Sequence, residues 1–590
     1  MSPRRIAVDV LIFICLALSS ASQAQQATNE ELTTPSIRVT TRIVLVSAIV
    51  TDKSGQRVKD LKASDFTILE NGKPQKITAF QFESRGFEVA PKSLSPLPQN
   101  IHTNRPEYNM PHGPLTVILL DGINTAVADQ GTARTQVLKY LGTQLQPGQR
   151  VSVYTLANSL SLLQDFTDDV ALLKAAVEKF TPQKSLEIQQ AEVEKILPSV
   201  LIPGDSGLRG AQGSQALLLL TRMSSFFNEQ TNLAERERAQ RTQAALRLLA
   251  RRLAGYPGRK NLVWVSAGFP IVLLTTDVQL TTDSSNLAQG NDPLQHSETN
   301  FEGDLHQLAS ELSDAQISVY SVDAHGLVGS TMQDASQHGT NEAGFLRTGA
   351  EYGAALARSG NDLRQTQDTL LLLSTESGGR LFKNSNDVAG ALATSVADGS
   401  SYYLLGYYPE NKNWDGKFRK IQVKLDKNDM DIRHRAGYFA KDATQWAKGK
   451  DKSRENELAA SMSLGTPTET MVIFDSRVVP PEPGSKKVSI DFLVNPQTVA
   501  GEESSDGGRH YVIEFHVAAY SSASKLISHK DAAIDAPIKH DRLQAFMQQG
   551  IPFKTDLDLG PGQYTLRLVV RDGRTGYTGS SEIPLALGGK

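Results

Sequence analysis

Cysteine is nearly missing: one residue, Cys15, in a chain of 590. It lies in the N-terminal apolar stretch, so a chain cleaved beyond it holds none. Disulfides, thiol nucleophiles and cysteine metal sites are then excluded together. A later run of about 18 or more apolar residues is also missing, which excludes a membrane-spanning helix from the mature chain. An excess of either charge is missing too: 61 Lys and Arg stand against 64 Asp and Glu, a net charge of -3. That removes electrostatic support for nucleic-acid binding and for steering of a charged substrate. The 11 histidines are scattered, and none falls in a His-Glu-x-x-His zinc segment.

What is present begins with an export signal. Residues 1–24 carry Arg4 and Arg5, then an apolar run over 10–18, then small residues. Ser22-Gln23-Ala24 fits a cleavage site after Ala24. The expected product is exported to the periplasm, the cell surface or the medium. With 39% hydrophobic and 21% charged residues, the rest has the composition of folded domains, about three or four at this length.

The N-terminal β block covers 36–83. It has β-branched residues in near-alternation at 39–50, a strand at 66–70 and another at 75–82. Asn71-Gly72 between the last two is a hairpin signal, because both positions need positive φ. Prolines 91, 96, 98, 106, 111 and 114 make 84–114 a linker without regular structure. Over 115–400, apolar strands at 115–120, 151–156, 262–265 and 317–322 alternate with helical stretches. One of these helices starts at Asn232, with Glu235 three residues on. The pattern predicts an α/β domain: a doubly wound parallel sheet with helices on both faces. Polar insertions at 182–230, 271–303 and 326–361 interrupt it. The second and third leave strand ends, where ligands bind such sheets.

Residues 401–440 read as three antiparallel strands, 441–465 as a linker or helix, and 466–590 as a C-terminal β-sandwich. The blocks 36–83 and 401–440 are each too small for a core of their own. Joined, they would form one β domain with Leu45, Phe66, Ile68, Leu404, Ile421 and Val423 in one core.

Several segments agree in order and spacing with one family: "VTDKSGQRVKDLKASDFTILENGKPQKITAF", "LTVILLDGINTAVADQ", "PGQRVSVYTL", "GRKNLVWVSAGFP", "ISVYSVDAHGL" and "YYLLGYYPENKNWDGKFRKIQVKL…RHRAGYFA". Over about 36–440 the chain resembles the acidobacterial von Willebrand factor A-related (VWFA-related) domain proteins. The resemblance implies a von Willebrand A-type, Rossmann-like sheet flanked by β-sandwich domains. It also implies a metal-ion-dependent adhesion site, built from D-x-S-x-S, a Thr from a second loop and an Asp from a third. Such a site holds a hard divalent cation, such as magnesium, with oxygen ligands.

Asp121 matches the first Asp and Thr125 the second Ser, but Ile123 stands where the first Ser belongs. The second-loop Thr falls near Thr181. Where the third-loop Asp belongs, the sequence reads Ser266-Ala267-Gly268. The site therefore reads as degenerate, with Asp121 and Thr125 as its remaining metal ligands and no cofactor expected. Asp121, Asn124, Thr125 and Asp323 form the expected ligand-binding rim. With two ligands missing, the favoured reading of Asp121 is a local role, capping the following helix or bonding the loop backbone. His325, beside Asp323, reads as a solvated loop residue.

No catalytic residues are assigned. Gly204-Asp205-Ser206-Gly207 is similar to a chymotrypsin-like nucleophile segment, but the base, the orienting acid and the double barrel are missing. The expected function is that of an exported, non-enzymatic binding protein whose A-type domain mediates adhesion or interaction with a protein partner in the cell envelope. A structural envelope component and a hydrolase with an unrecognised site are the alternatives.

Overall fold

A computed structural model describes residues 43–84, 96–98, 100–109, 115–183, 211–269, 271–278, 294–326, 349–385, 387–427, 429–442, 451–482, 484–504 and 507–588. The export signal and the segment 204–207 lie outside the described residues.

The described residues begin with four strands: β1 (Val44–Asp52), β2 (Phe66–Glu70), β3 (Lys73–Gln75) and β4 (Ile77–Ser84). Asn71 and Gly72 take φ of 48° and 81°, the two positive values that a two-residue hairpin needs. The expectation that 84–114 lacks regular structure is corrected. Ile101–Thr103 forms strand β5, and Pro106–Asn109 forms a helical turn, α1. The prolines fall outside the three strand residues, and Pro106 sits at a first helical position, where its missing N–H costs nothing.

Next come β6 (Leu115–Asp121), α2 (Val127–Thr143), β7 (Arg150–Leu156), β8 (Leu160–Thr167), α3 (Val170–Lys179) and α4 (Ala211–Ala254). They are followed by β9 (Lys260–Ser266), β10 (Val272–Val278), β11 (Leu294–Asn300), α5 (Glu302–Asp314) and β12 (Ile317–Asp323). The region closes with α6 (Gly349–Glu376), β13 (Arg380–Phe382) and α7 (Val388–Ser400).

Six strands form one sheet in the order β13-β12-β9-β6-β7-β8. Read along the chain, that is the doubly wound 3-2-1-4-5-6 order, with its switch point between β6 and β9. Every residue of β6, β9 and β12 is buried, because helices cover both faces. Alternate residues serve opposite faces: Val117 and Leu119 pack with Leu246 and Leu249 of α4, and Ile118 and Leu120 with Val137 and Leu141 of α2.

Three expectations for this region are corrected. The sheet is mixed, because β8 runs antiparallel to β7. Three residues separate the two strands, too few for a crossover. Asn232 does not start a helix, since α4 begins at Ala211. The strong helix formers at 216–220 carry it through. The insertions are not plain loops either. The first contains half of α4, the second the antiparallel pair β10–β11, and the third the start of α6.

The chain then returns to the first strands with β14 (Ser401–Tyr407), β15 (Phe418–Leu425), β16 (Met430–Arg433) and β17 (Gly437–Phe439). The two sheets have the orders β16-β1-β14-β4 and β17-β15-β2-β3. Val46, Val50, Phe66, Ile68, Tyr403, Leu405, Ile421 and Val423 share one core. Leu45 and Leu404 do not join it, and pack instead with Ile49 and Tyr402. Neighbours along a strand point to opposite faces, so β1 and β14 can place Val46 and Leu405 inward only by turning Leu45 and Leu404 away.

The C-terminal part holds α8 (Asp451–Met462), β18 (Phe474–Val479), β19 (Lys487–Val494), β20 (Gly501–Glu503), β21 (Arg509–Ser521) and β22 (Leu526–Ile538). It ends with α9 (His540–Gln549), β23 (Ile551–Asp558), β24 (Gly562–Asp572) and β25 (Thr578–Leu587). One sheet runs β23-β19-β18-β5, and the other β20-β21-β24-β25 with β22 on β21. Phe474, Ile490 and Phe492 pack with Phe515, Leu566 and Leu568 between them. The former linker is thus part of this unit. Asn104 Nδ2 donates to the Glu469 and Val472 carbonyls, and Arg105 forms a two-pronged pair with Asp475 at 3.1 and 2.7 Å.

Candidate functional site

The switch point is where an open α/β sheet leaves a crevice beyond its strand ends. Here that place is taken by Asp121, at the carboxyl end of β6. Its Oδ1 accepts the main-chain N–H of Ile123 (3.1 Å) and of Asn124 (3.0 Å). Its Oδ2 accepts Asn124 Nδ2 (2.7 Å), the indole Nε1 of Trp264 (3.0 Å) and the hydroxyl of Ser266 (2.7 Å). Five donors thus meet a carboxylate that has about four lone-pair positions. Burial pushes the Asp121 carboxyl above the ordinary range, while Asn124, Ser266 and Trp264 pull it back.

The loop after β6 is locked from several sides. Thr125 Oγ1 accepts the Ala267 N–H at 3.2 Å. Gln130, on α2, donates to the Gly122 and Thr125 carbonyls at 3.1 and 2.7 Å. Asn124 Nδ2 also donates to Thr242 Oγ1 on α4 at 2.8 Å, and the Thr242 hydroxyl donates to the Arg238 carbonyl at 2.9 Å. Thr181 lies outside this set, exposed, with its hydroxyl on the Lys179 carbonyl.

Asp323 ends β12, one strand beyond β9, and builds a separate cluster. Its Oδ1 accepts the His325 N–H (3.1 Å) and faces His325 Nδ1 (2.8 Å), and its Oδ2 accepts Gln367 Nε2 of α6 (2.7 Å). The bond to Asp323 raises the His325 pKa above its ordinary value. Asp129 nearby is raised by burial, with His325 opposing and Asp323 adding to the shift. His325 is therefore a half-buried partner of Asp323 rather than a solvated residue.

The four rim residues divide accordingly. Asp121, Asn124 and Thr125 converge, while Asp323 stands apart. All four are buried, with exposures of 2%, 4%, 2% and 1%. A partner cannot touch them directly, which corrects the expectation of a binding rim made by these side chains.

A divalent ion is poorly served by the same geometry. It would need several free oxygens in an octahedral set. Asp121 is saturated, Ile123 presents buried hydrocarbon, and Ser266 turns its proton onto Asp121. Asn124 Oδ1 is buried and unpartnered, but a single amide oxygen does not make a coordination sphere. Among the described residues, no three His, Cys, Asp or Glu side chains are placed to hold a metal. The residues present do not fit the ion.

Sequence reasoning missed Trp264, Ser266, Gln130, Thr242 and Gln367. Ser266 was legible as a position, since it follows the strand that should have carried a carboxylate. Its role as a donor to Asp121 was not.

No family model matches the chain, and no curated protein matches it. Among solved structures it is similar to BatB from Bacteroides thetaiotaomicron, at 12% identity over 49% of this chain and 99% of that one, with a TM-score of 0.22. It is similar to the vWF domain of the type V pili tip protein Mfa5 from Porphyromonas gingivalis, at 11% identity over 49% and 96%, with a TM-score of 0.21. It is also similar to the ArnB paralog VWA2 from Sulfolobus acidocaldarius, at 8% identity over 92% and 75%, with a TM-score of 0.17. Likeness at this level carries no argument about activity or partners.

Proposed function

We propose that the protein is an exported, non-enzymatic binding protein of the cell envelope, with an α/β domain of von Willebrand A type that engages a protein partner without a resident metal ion. The observation that carries this reading is the closure of the switch point. The place where such a sheet ordinarily takes a small ligand or ion is filled by the five donors to Asp121. The chain leaving β9 at the same end builds the β10–β11 pair instead. The doubly wound strand order, and an Asp at the end of its first strand, support the A-type assignment. Export rests on the signal features of residues 1–24. No helix among the described residues is long and apolar enough to cross a membrane. A partner surface on this face would be made by the β10–β11 pair rather than by the buried carboxylates.

Cross-linking of mature protein in an envelope fraction, with and without EDTA, tests the reading. The expected result is one protein partner in both arms, lost when residues 272–300 are replaced by a short Gly-Ser linker. A partner held only without EDTA, or one indifferent to the replacement, overturns it.

A further inference from the structure

At the other end of the same sheet, the charge balance is reversed. Asp398, near the end of α7, is fully buried. It accepts the Tyr320 hydroxyl at 2.8 Å and ion-pairs with Arg433 at 2.8 Å and with Arg57. Arg57 and Arg433 come from the β domain, so this carboxylate joins it to the α/β sheet. Arg259, just before β9, donates to the Tyr320 hydroxyl (2.9 Å) and to the Gly378 carbonyl (3.1 Å). Arg380, the first residue of β13, adds a further guanidinium beside them.

One carboxylate does not balance this group. Burial and the neighbouring Arg433 bring the Arg57 guanidinium down to about 10, and partial burial with Arg433 also lowers the more exposed Arg380. Arg57 Nη1 and Arg433 Nη1 are buried and donate to nothing. Among the described residues, the Arg380 and Lys383 side chains form no hydrogen bond or ion pair. His434 does not compensate, because its Nδ1 lies 2.7 Å from the Arg435 carbonyl, its Nε2 accepts the Val423 N–H, and burial lowers its pKa.

Beside the cations lies a half-open cavity of about 390 Å³. Arg380, Lys383 and Arg433 line it on one side, and Leu371, Leu381 and Ile432 supply apolar wall. Its size is within the range of small-molecule sites. Gly378 and Gly379 also line it, and both are required there. Gly378 has φ of 78°, and a side chain at Gly379 would strike the Val319 carbonyl.

We propose that this cavity binds a small organic anion through its carboxylate or phosphate oxygens, held by Arg380 and Lys383 beside the Arg433–Asp398 pair. Guanidinium forks suit planar oxyanions, and such pairs are stronger than neutral hydrogen bonds. The apolar wall accommodates the hydrocarbon part of the ligand. The proposal does not rest on the reading of the carboxyl-end face.

Calorimetric titration of the full mature chain tests it, with inorganic phosphate and succinate as separate probes at constant ionic strength. The comparison variant is Arg380→Gln/Lys383→Gln. Both side chains are exposed, and an unchanged melting temperature without ligand shows that the variant is folded. The expected result is saturable binding of at least one probe, at least about tenfold weaker in the variant. Preference for phosphate or for succinate then identifies the headgroup. Saturable binding of neither probe, or equal binding by variant and parent, overturns the proposal.

Discussion

The two ends of the α/β sheet handle buried charge in opposite ways. At the carboxyl end, one carboxylate, Asp121, meets five donors, four of them uncharged side-chain or main-chain N–H groups. At the amino end, several guanidiniums crowd around one carboxylate, Asp398. A buried charge is tolerated only when it is paired or well hydrogen-bonded. The first end meets that condition internally and closes. The second meets it in part, across a domain junction, and leaves cations facing a cavity. A strand-end carboxylate does not mark a working site by itself; the partners around it decide.

The largest effect is expected at the junction. Asp398→Ala leaves Arg57 and Arg433 uncompensated, and is expected to cost about 3–5 kcal/mol in urea unfolding. A loss below about 1 kcal/mol would mean that solvent already screens these cations. Asp121→Ala comes next, at about 3 kcal/mol, because it strands buried main-chain and indole donors together. Equilibrium unfolding measures it, and a neutral result would show that the loop relaxes to find other acceptors.

Trp264→Phe sharpens the carboxyl-end account. It keeps most of the ring packing and removes one of three donors to Asp121 Oδ2, so about 1 kcal/mol is expected. The smallest effect is a pH dependence. The folded pKa of His325 is raised above its ordinary 6.5 by Asp323. Its stabilising contribution is therefore fully present below the unfolded value and is lost as pH rises through the folded one. The melting temperatures of the parent and of His325→Gln should differ most at acid pH and converge above that window. A gap that widens with pH would reverse the assignment.

Much of the architecture was legible because it rests on local signals. The apolar runs at 115–120 and 317–322 are strands buried on both faces, and Asn71-Gly72 makes its turn. What failed depended on distant pairing. Strand β5 exists because β18 offers it an edge, which the sequence around Ile101 does not state. The faces of Leu45 and Leu404 followed from register, where one residue reverses the result. The site was legible only in part. Asp121 was found from its place at a strand end, but its partners Trp264 and Ser266 come from another strand. The Asp398 junction draws on four chain segments, and no local motif announced it.

Hydrogen–deuterium exchange of the mature protein, alone, with magnesium and with phosphate or succinate, compares both ends in one measurement. The account predicts that the Ile123 and Asn124 amides are strongly protected from the start and unchanged by magnesium. It predicts that phosphate or succinate, whichever binds in the calorimetric test, slows exchange over residues 378–383 and 432–434. Protection at 121–125 that appears only with magnesium, together with no effect of either anion at the junction, would contradict it.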